Sequence, residues 1–121
     1  MAGLSYAAGE GGVPLSPLTM GELLDQAAHR FGPRVALISA HQGQTLTFSQ
    51  LQADVHRTAQ ALLIHGIAAG DRVGIWSTNC IEWVLLQFAV ARIGAILVHI
   101  NPAYREDELE YTVGPVSYTH L

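Results

Sequence analysis

Lysine is missing altogether: the six basic residues among 121 are all arginine, against ten acidic ones, for a formal net charge of −4. A nucleic-acid-binding domain or a polybasic membrane anchor gathers basic side chains into a patch, so both classes are excluded. Cysteine is nearly missing as well. Cys80 stands alone, which excludes an internal disulfide and favours a reducing interior. A reactive thiol needs neighbours that lower its pKa, and beyond a helix start none can be named, so Cys80 reads as buried filler. Charged residues make up 13% and hydrophobic ones 50% of the chain, a balance that excludes disorder. The one apolar stretch near membrane length, Trp83 to Ile100, is interrupted by Gln87, Arg92 and Gly94, and it reads as a buried helix followed by a buried strand. The N-terminus has no basic n-region and no continuous apolar run, which argues against a secretory signal and for a cytoplasmic location.

What is present is a sequence of short, well-punctuated elements. Residues 1–18, rich in Gly, Pro, Ala and Ser, read as an irregular arm. Thr19-Met20-Gly21-Glu22 is a capping box, opening a helix with Leu23, Leu24, Ala27 and Phe31 on its buried face and ended by Gly32-Pro33. Val35 to Ser39, a turn at His41–Gln44, and Thr45 to Thr47 predict a hairpin. Thr47 to Gln50 is a second capping box. Its helix should bury Phe48, Leu51, Val55, Leu62 and Leu63 and end at Gly66. Arg72 to Trp76 predicts a strand, and Asn79 is the expected cap of the next helix, with Glu82 at its third position. Ile81, Val84, Leu85, Phe88 and Ala89 repeat at helical spacing, while Trp83, Leu86 and Val90 cover the other side, so this helix should be buried on nearly all faces. Ala95 to Ile100 follows as a strand buried on both sides, with Trp76 and Trp83 in the core. Asn101-Pro102 breaks it, and Glu106 to Val113 begins another helix. Strand, helix, strand with short loops implies right-handed crossovers and a mostly parallel sheet. The fold class is α/β: β-α-β units after an initial hairpin.

Five segments stand out in order: Gly70-Asp71-Arg72-Val73, Asn79 to Val84, Gly94 to Val98, Asn101-Pro102-Ala103-Tyr104 and Glu108 to Tyr111. This succession resembles the N-terminal part of the adenylate-forming (AMP-binding) enzymes, in particular the fatty acyl-CoA synthetases of medium-chain type, over roughly residues 19–114. The resemblance implies a partial N-terminal subdomain of that fold. It implies a parent enzyme that uses ATP, magnesium and CoA to adenylate a fatty acid and pass it to the CoA thiol. It also implies a Ser/Thr/Gly-rich phosphate loop followed by lysine, an adenine-binding aromatic-Thr-Glu segment, a ribose-binding Asp and a hinge, none of which occurs here. The family's adenylation lysine cannot come from a chain without lysine, so the chain by itself should be inactive, with no catalytic, cofactor-binding or metal residue of its own. It should also dissolve poorly, because a partial sheet leaves an apolar face and a strand edge bare. Residues 115–121 depart from the pattern: Val116-Ser117-Tyr118-Thr119-His120-Leu121 resembles a translated sequencing adapter, and is expected to be a non-native tail.

Within the chain, substrate-proximal roles fall to Asn101, Pro102, Tyr104 and His99. His99 lies at the end of a strand, where ligands of open α/β sheets bind, though ordinary packing also accounts for it. Asn101-Pro102-Ala103-Tyr104 is a rigid strand-to-helix corner that could line the acyl or CoA approach. His29, His41, His56 and His65 form no zinc-type pair. The acidic cluster Glu106, Asp107, Glu108 and Glu110 complements a helix N-terminus. Alternatives are an aryl-CoA ligase, an amino-acid-activating domain, or a non-catalytic α/β binding module. A dinucleotide binder is disfavoured because no G-x-G-x-x-G joins a strand to a helix.

Overall fold

A computed structural model of the chain describes residues 7, 9 and 11–113; the expected tail at 115–121 lies outside them. Eight elements follow one another: α1 (Met20–Phe31), β1 (Val35–Ser39), β2 (Gln44–Thr47), α2 (Phe48–Ile64), β3 (Arg72–Trp76), α3 (Ile81–Arg92), β4 (Ile96–Ile100) and α4 (Glu106–Val113). The described residues before α1 are exposed and form no regular element.

Local chemistry sets most boundaries. In both capping boxes the threonine hydroxyl accepts from the third helical N–H, at 3.2 Å in each case. The Glu22 and Gln50 side chains accept in turn from the cap N–H groups. α2 and α3 each end on a glycine with positive φ, Gly66 at 86° and Gly94 at 76°. There the two following N–H groups fold back onto the last turn: Gly66 to Leu63 and Ile67 to Leu62, then Gly94 to Ala91 and Ala95 to Val90. This paired closure satisfies carbonyls that a helix end otherwise leaves bare.

β1 and β2 form an antiparallel hairpin, and β3 and β4 a parallel pair in register from Arg72↔Ile96 to Trp76↔Ile100. The core lies between the helices and one face of the β3–β4 pair: Leu24, Leu51, Val55, Ala59, Leu62, Ile67, Val73, Ala89 and Val90. Val55 and Val73 are fully enclosed, and each such aliphatic side chain contributes roughly 1.5–3 kcal/mol on burial.

Several expectations change at this level. α1 turns Gly21, Leu24 and Ala28 inward and leaves Leu23 and Phe31 exposed, because the backbone of Arg92 packs against Gly21, 3.7 Å from where a Cβ would sit. α2 buries Ala59 in place of Leu63, which is exposed. The cap of α3 is Cys80, not Asn79, and it makes no side-chain cap bond. Cys80 is half-buried, its Sγ 3.7 Å from Ser77 Oγ, rather than enclosed. α3 is half-buried on most sides. β4 is not covered on both faces: Ile96 is 48% exposed, and across the ladder Trp76 is 50% exposed instead of lying in the core. On the face these two share, Gly74 and Val98 are half-buried and Ile100 is enclosed, so the exposure falls on Trp76 and Ile96, at opposite ends of the paired strands.

One polar cluster ties the helices together. Arg92 on α3 donates to both oxygens of Asp25 on α1, at 2.6 and 2.7 Å from Nη2 and 3.2 Å from Nη1. Gln52 on α2 donates to the same carboxylate at 2.7 Å, and His56 Nε2 lies 3.8 Å from it. Asp25 therefore joins three helices through partly exposed hydrogen bonds, of which the charge-assisted ones from Arg92 are the stronger.

Candidate functional site

In a parallel α/β layer, ligands are received at the C-terminal ends of the strands. Here that edge is built by the end of β3 with the loop Ser77–Cys80, and by the end of β4 with the turn Asn101–Arg105. His99 is the penultimate residue of β4 and pairs with Ile75. Its imidazole is exposed and stacks on Trp83 of α3, ring centroids 4.9 Å apart at an interplanar angle of 27°.

Asn101 is consumed by its own turn. Its side-chain Oδ1 accepts from the Ala103 N–H at 3.0 Å, and its carbonyl accepts from the Tyr104 N–H at 3.0 Å. Pro102 is exposed and closes this corner. Tyr104 is half-buried and borders a shallow depression of about 310 Å³ with Asp107, Glu108, Tyr111 and Thr112. His99 and Asn101 do not line that depression. The four residues thus share one end of the layer, but Asn101 is turned to its own backbone and His99 to Trp83, and the depression beside Tyr104 does not join them.

The opposite corner of the same edge holds a feature that the sequence reading missed. Gln42, in the hairpin turn, reaches the start of α3. Its Oε1 accepts from the Ile81 N–H at 2.9 Å and from Ser39 Oγ at 2.7 Å, while its Nε2 donates to Glu82 Oε2 at 2.9 Å. The hydrogen bond from Gln42 is the main reason the Glu82 carboxyl titrates below its ordinary value. A cleft of about 230 Å³ lies alongside, lined in part by Ser39, His41, Asn79, Cys80 and Ile81. No local pattern announces a cap supplied from 39 residues away; only the polar pair in the hairpin turn, His41-Gln42, hints at it.

These residues do not fit a triphosphate. The α3 N-terminus is the strand-to-helix position where phosphate would gain most from free N–H groups and the helix dipole. It is already occupied by a carboxamide and flanked by the Glu82 carboxylate. Among the described residues no three His, Cys, Asp or Glu side chains converge to hold a metal ion, and no helix is long and apolar enough to cross a membrane. What the arrangement does chemically is cap, stack and brace.

Comparison with known proteins bears on the whole layer. The family model described as AMP-binding enzyme matches residues 24–118. The medium-chain acyl-CoA ligase ACSF2, mitochondrial, of Rattus norvegicus is 46% identical over 116 residues, covering 96% of this chain and 19% of the rat protein. The chain therefore spans about a fifth of the length of the curated relatives it matches. Among solved structures, a Mycobacterium tuberculosis fatty acyl CoA synthetase superposes with a TM-score of 0.76 at 29% identity, over 78% of this chain and 19% of the other. The anthranilate CoA ligase AuaEII, in complex with anthranoyl-AMP, does so with a TM-score of 0.73 at 27% identity, over 84% and 19%.

Proposed function

Because the chain belongs to the AMP-binding enzyme family, we propose that it forms the opening layer of an ATP-dependent fatty acid–CoA ligase. In the reaction proposed for the whole enzyme, a fatty carboxylate attacks the α-phosphate of ATP, giving an acyl-adenylate and pyrophosphate. The CoA thiolate then displaces AMP to form the thioester. Magnesium would serve the first step as a charge clamp on the triphosphate. The 46% identity to the rat medium-chain ligase over nearly the whole chain carries this reading and supports a medium-chain substrate.

The role of these 121 residues within it is architectural. They hold the strand ends and the Asn101–Tyr104 corner in place, and Tyr104, Pro102, Asn101 and His99 are the residues proposed to lie nearest the substrate. ATP, magnesium and CoA are received by parts of the family fold that these residues do not form. A cytoplasmic location is proposed; the rat relative is mitochondrial by name, and subcellular fractionation distinguishes the two. The anthranilate ligase likeness supports a second reading, an aryl-acid ligase, but at 27% identity against 46% it is the weaker one.

A chimera tests the proposal. The stretch of the rat enzyme that aligns with this chain is replaced by residues 1–113, and thioester formation from ATP, CoA and octanoate is followed. We expect activity within about tenfold of the parent, the effect of roughly 1.4 kcal/mol on the barrier. A folded chimera that makes no octanoyl-CoA overturns the reading, and one that prefers benzoate or anthranilate favours the second.

A further inference from the structure

We infer that the groove between α2 and the end of α3 binds an aliphatic monocarboxylate, its head on Arg92, His56 and Gln60 and its tail along Ala59, Leu63 and Ile93. These six residues line a space of about 500 Å³. That is the size and make-up of a small-molecule site: concave, largely apolar, with a few convergent polar groups. His56, Ala59, Gln60 and Leu63 recur on α2 at spacings of three and four, so they form one stripe. Arg92 and Ile93 stand where α3 ends and the chain turns toward β4. The groove therefore lies at the other end of α3 from Ile81 and the candidate site.

The polar groups are those a carboxylate needs. No acidic side chain lines the groove. Asp25, which is not among the lining residues, engages Nη2 of Arg92 twice and Nη1 once at 3.2 Å. The Nε–H and one Nη1 N–H are left over for a ligand. Gln60 is exposed and makes no hydrogen bond among the described residues. His56 Nε2 is 3.8 Å from Asp25, beyond hydrogen-bonding reach, so the imidazole also has a donor to give. Donors of this kind bind a charged acceptor best. Beside them Leu63 is 54% exposed next to the buried Ala59, an apolar wall that an alkyl tail would cover. An alkylammonium would meet the same wall but bring a like charge to Arg92, so the sign of the head group decides. This ligand class is also the one the parent enzyme is proposed to activate, which would let the groove sense substrate supply; only that link rests on the function proposed above.

The test titrates octanoate, octylamine and acetate into the 121-residue chain joined to a soluble carrier, with the carrier alone as blank, and reads binding by calorimetry. Octanoate should bind saturably at one site per chain. Octylamine, with the wrong charge, and acetate, with no tail, should each bind at least about tenfold more weakly. Leu63→Asp removes the wall and adds a repelling carboxylate, so it should weaken octanoate about tenfold or more. Ile64→Asp, at a neighbouring position that is 83% exposed and outside the groove, should leave it within about twofold. Trp76→Gln should do the same, which separates the groove from the half-exposed side chains of the strand pair. Arg92 is left unaltered because it also braces Asp25. If Leu63→Asp loses helical signal, Gln60→Ala is read in its place, with a loss of about threefold expected. No saturable octanoate binding, octylamine bound as tightly as octanoate, undiminished binding in the groove variant, or loss of binding in Trp76→Gln each overturns the inference. No catalysis is needed for this readout. An active chimera beside a chain that binds no octanoate sinks only the groove, and an inactive chimera beside a chain that binds it sinks only the function proposed above.

Discussion

Gln42 and Asp25 show how single side chains replace what a helix lacks. Cys80 offers α3 no cap, and the Gln42 carboxamide satisfies the first free N–H from across the fold. Gln42→Ala should cost about 1 kcal/mol, the usual value of a lost cap, read as a lower urea midpoint. The same change should return the Glu82 pKa toward its ordinary value, because the Gln42 bond is the largest cause of its depression. The sign follows: a carboxyl depressed in the folded state stabilises above its unfolded pKa, and that contribution fades as pH falls through the folded one. A carboxyl titration by NMR that does not move in Gln42→Ala contradicts this account. At the other cluster, Arg92→Ala leaves the Asp25 carboxylate with Gln52 as its remaining strong donor. The bond is charged and twofold but partly exposed, so a loss of about 1–2 kcal/mol is expected. A double-mutant cycle with Asp25→Ala should recover most of it as coupling.

Among the elements, the helix ends show where backbone conformation is decisive. Gly94 has φ +76°, and a Cβ there would meet Ala69 Cβ at 3.3 Å. Gly94→Ala should therefore destabilise by about 1–2 kcal/mol, in thermal or urea unfolding, from the left-handed backbone alone, with the contact adding to it. Such punctuation is local, and it was legible: Thr19, Thr47, Gly66 and the Asn101-Pro102 break all act where the residue types say they should. The strands β1 and β3 and the helix α4 also fall at their expected bounds, because β-branched runs, breakers and an acidic first turn within a few residues define them. Burial was harder to read. Leu23, Phe31, Leu63 and Trp76 are apolar, yet they face outward, since which side of an element is covered depends on partners distant in sequence. The Gln42 cap and the Asp25–Arg92 bond were illegible for the same reason, spanning 39 and 67 positions. At the candidate site, the position of the Asn101 corner was readable from proline; that Asn101 would spend its side chain on Ala103 was not.

Among the described residues, three helices braced by Asp25 pack with a hairpin and a parallel strand pair that leaves Trp76 and Ile96 half-exposed. Purified alone, it should form no acyl-CoA from ATP, CoA and fatty acid; a measurable thioester product would contradict the division of labour proposed here. It should also bind a hydrophobic dye such as ANS, and Trp76→Glu with Ile96→Glu should reduce that signal by removing two half-exposed apolar side chains. The Asp25–Arg92 bond has a consequence for biogenesis. Its two halves are separated by 67 residues, and a ribosome adding about 5–20 residues per second needs on the order of 3 to 13 s to deliver the second after the first. During that interval α1 gains α2 to pack on but not its counter-ion, so it is expected to reach its full set of partners only once Arg92 has been made.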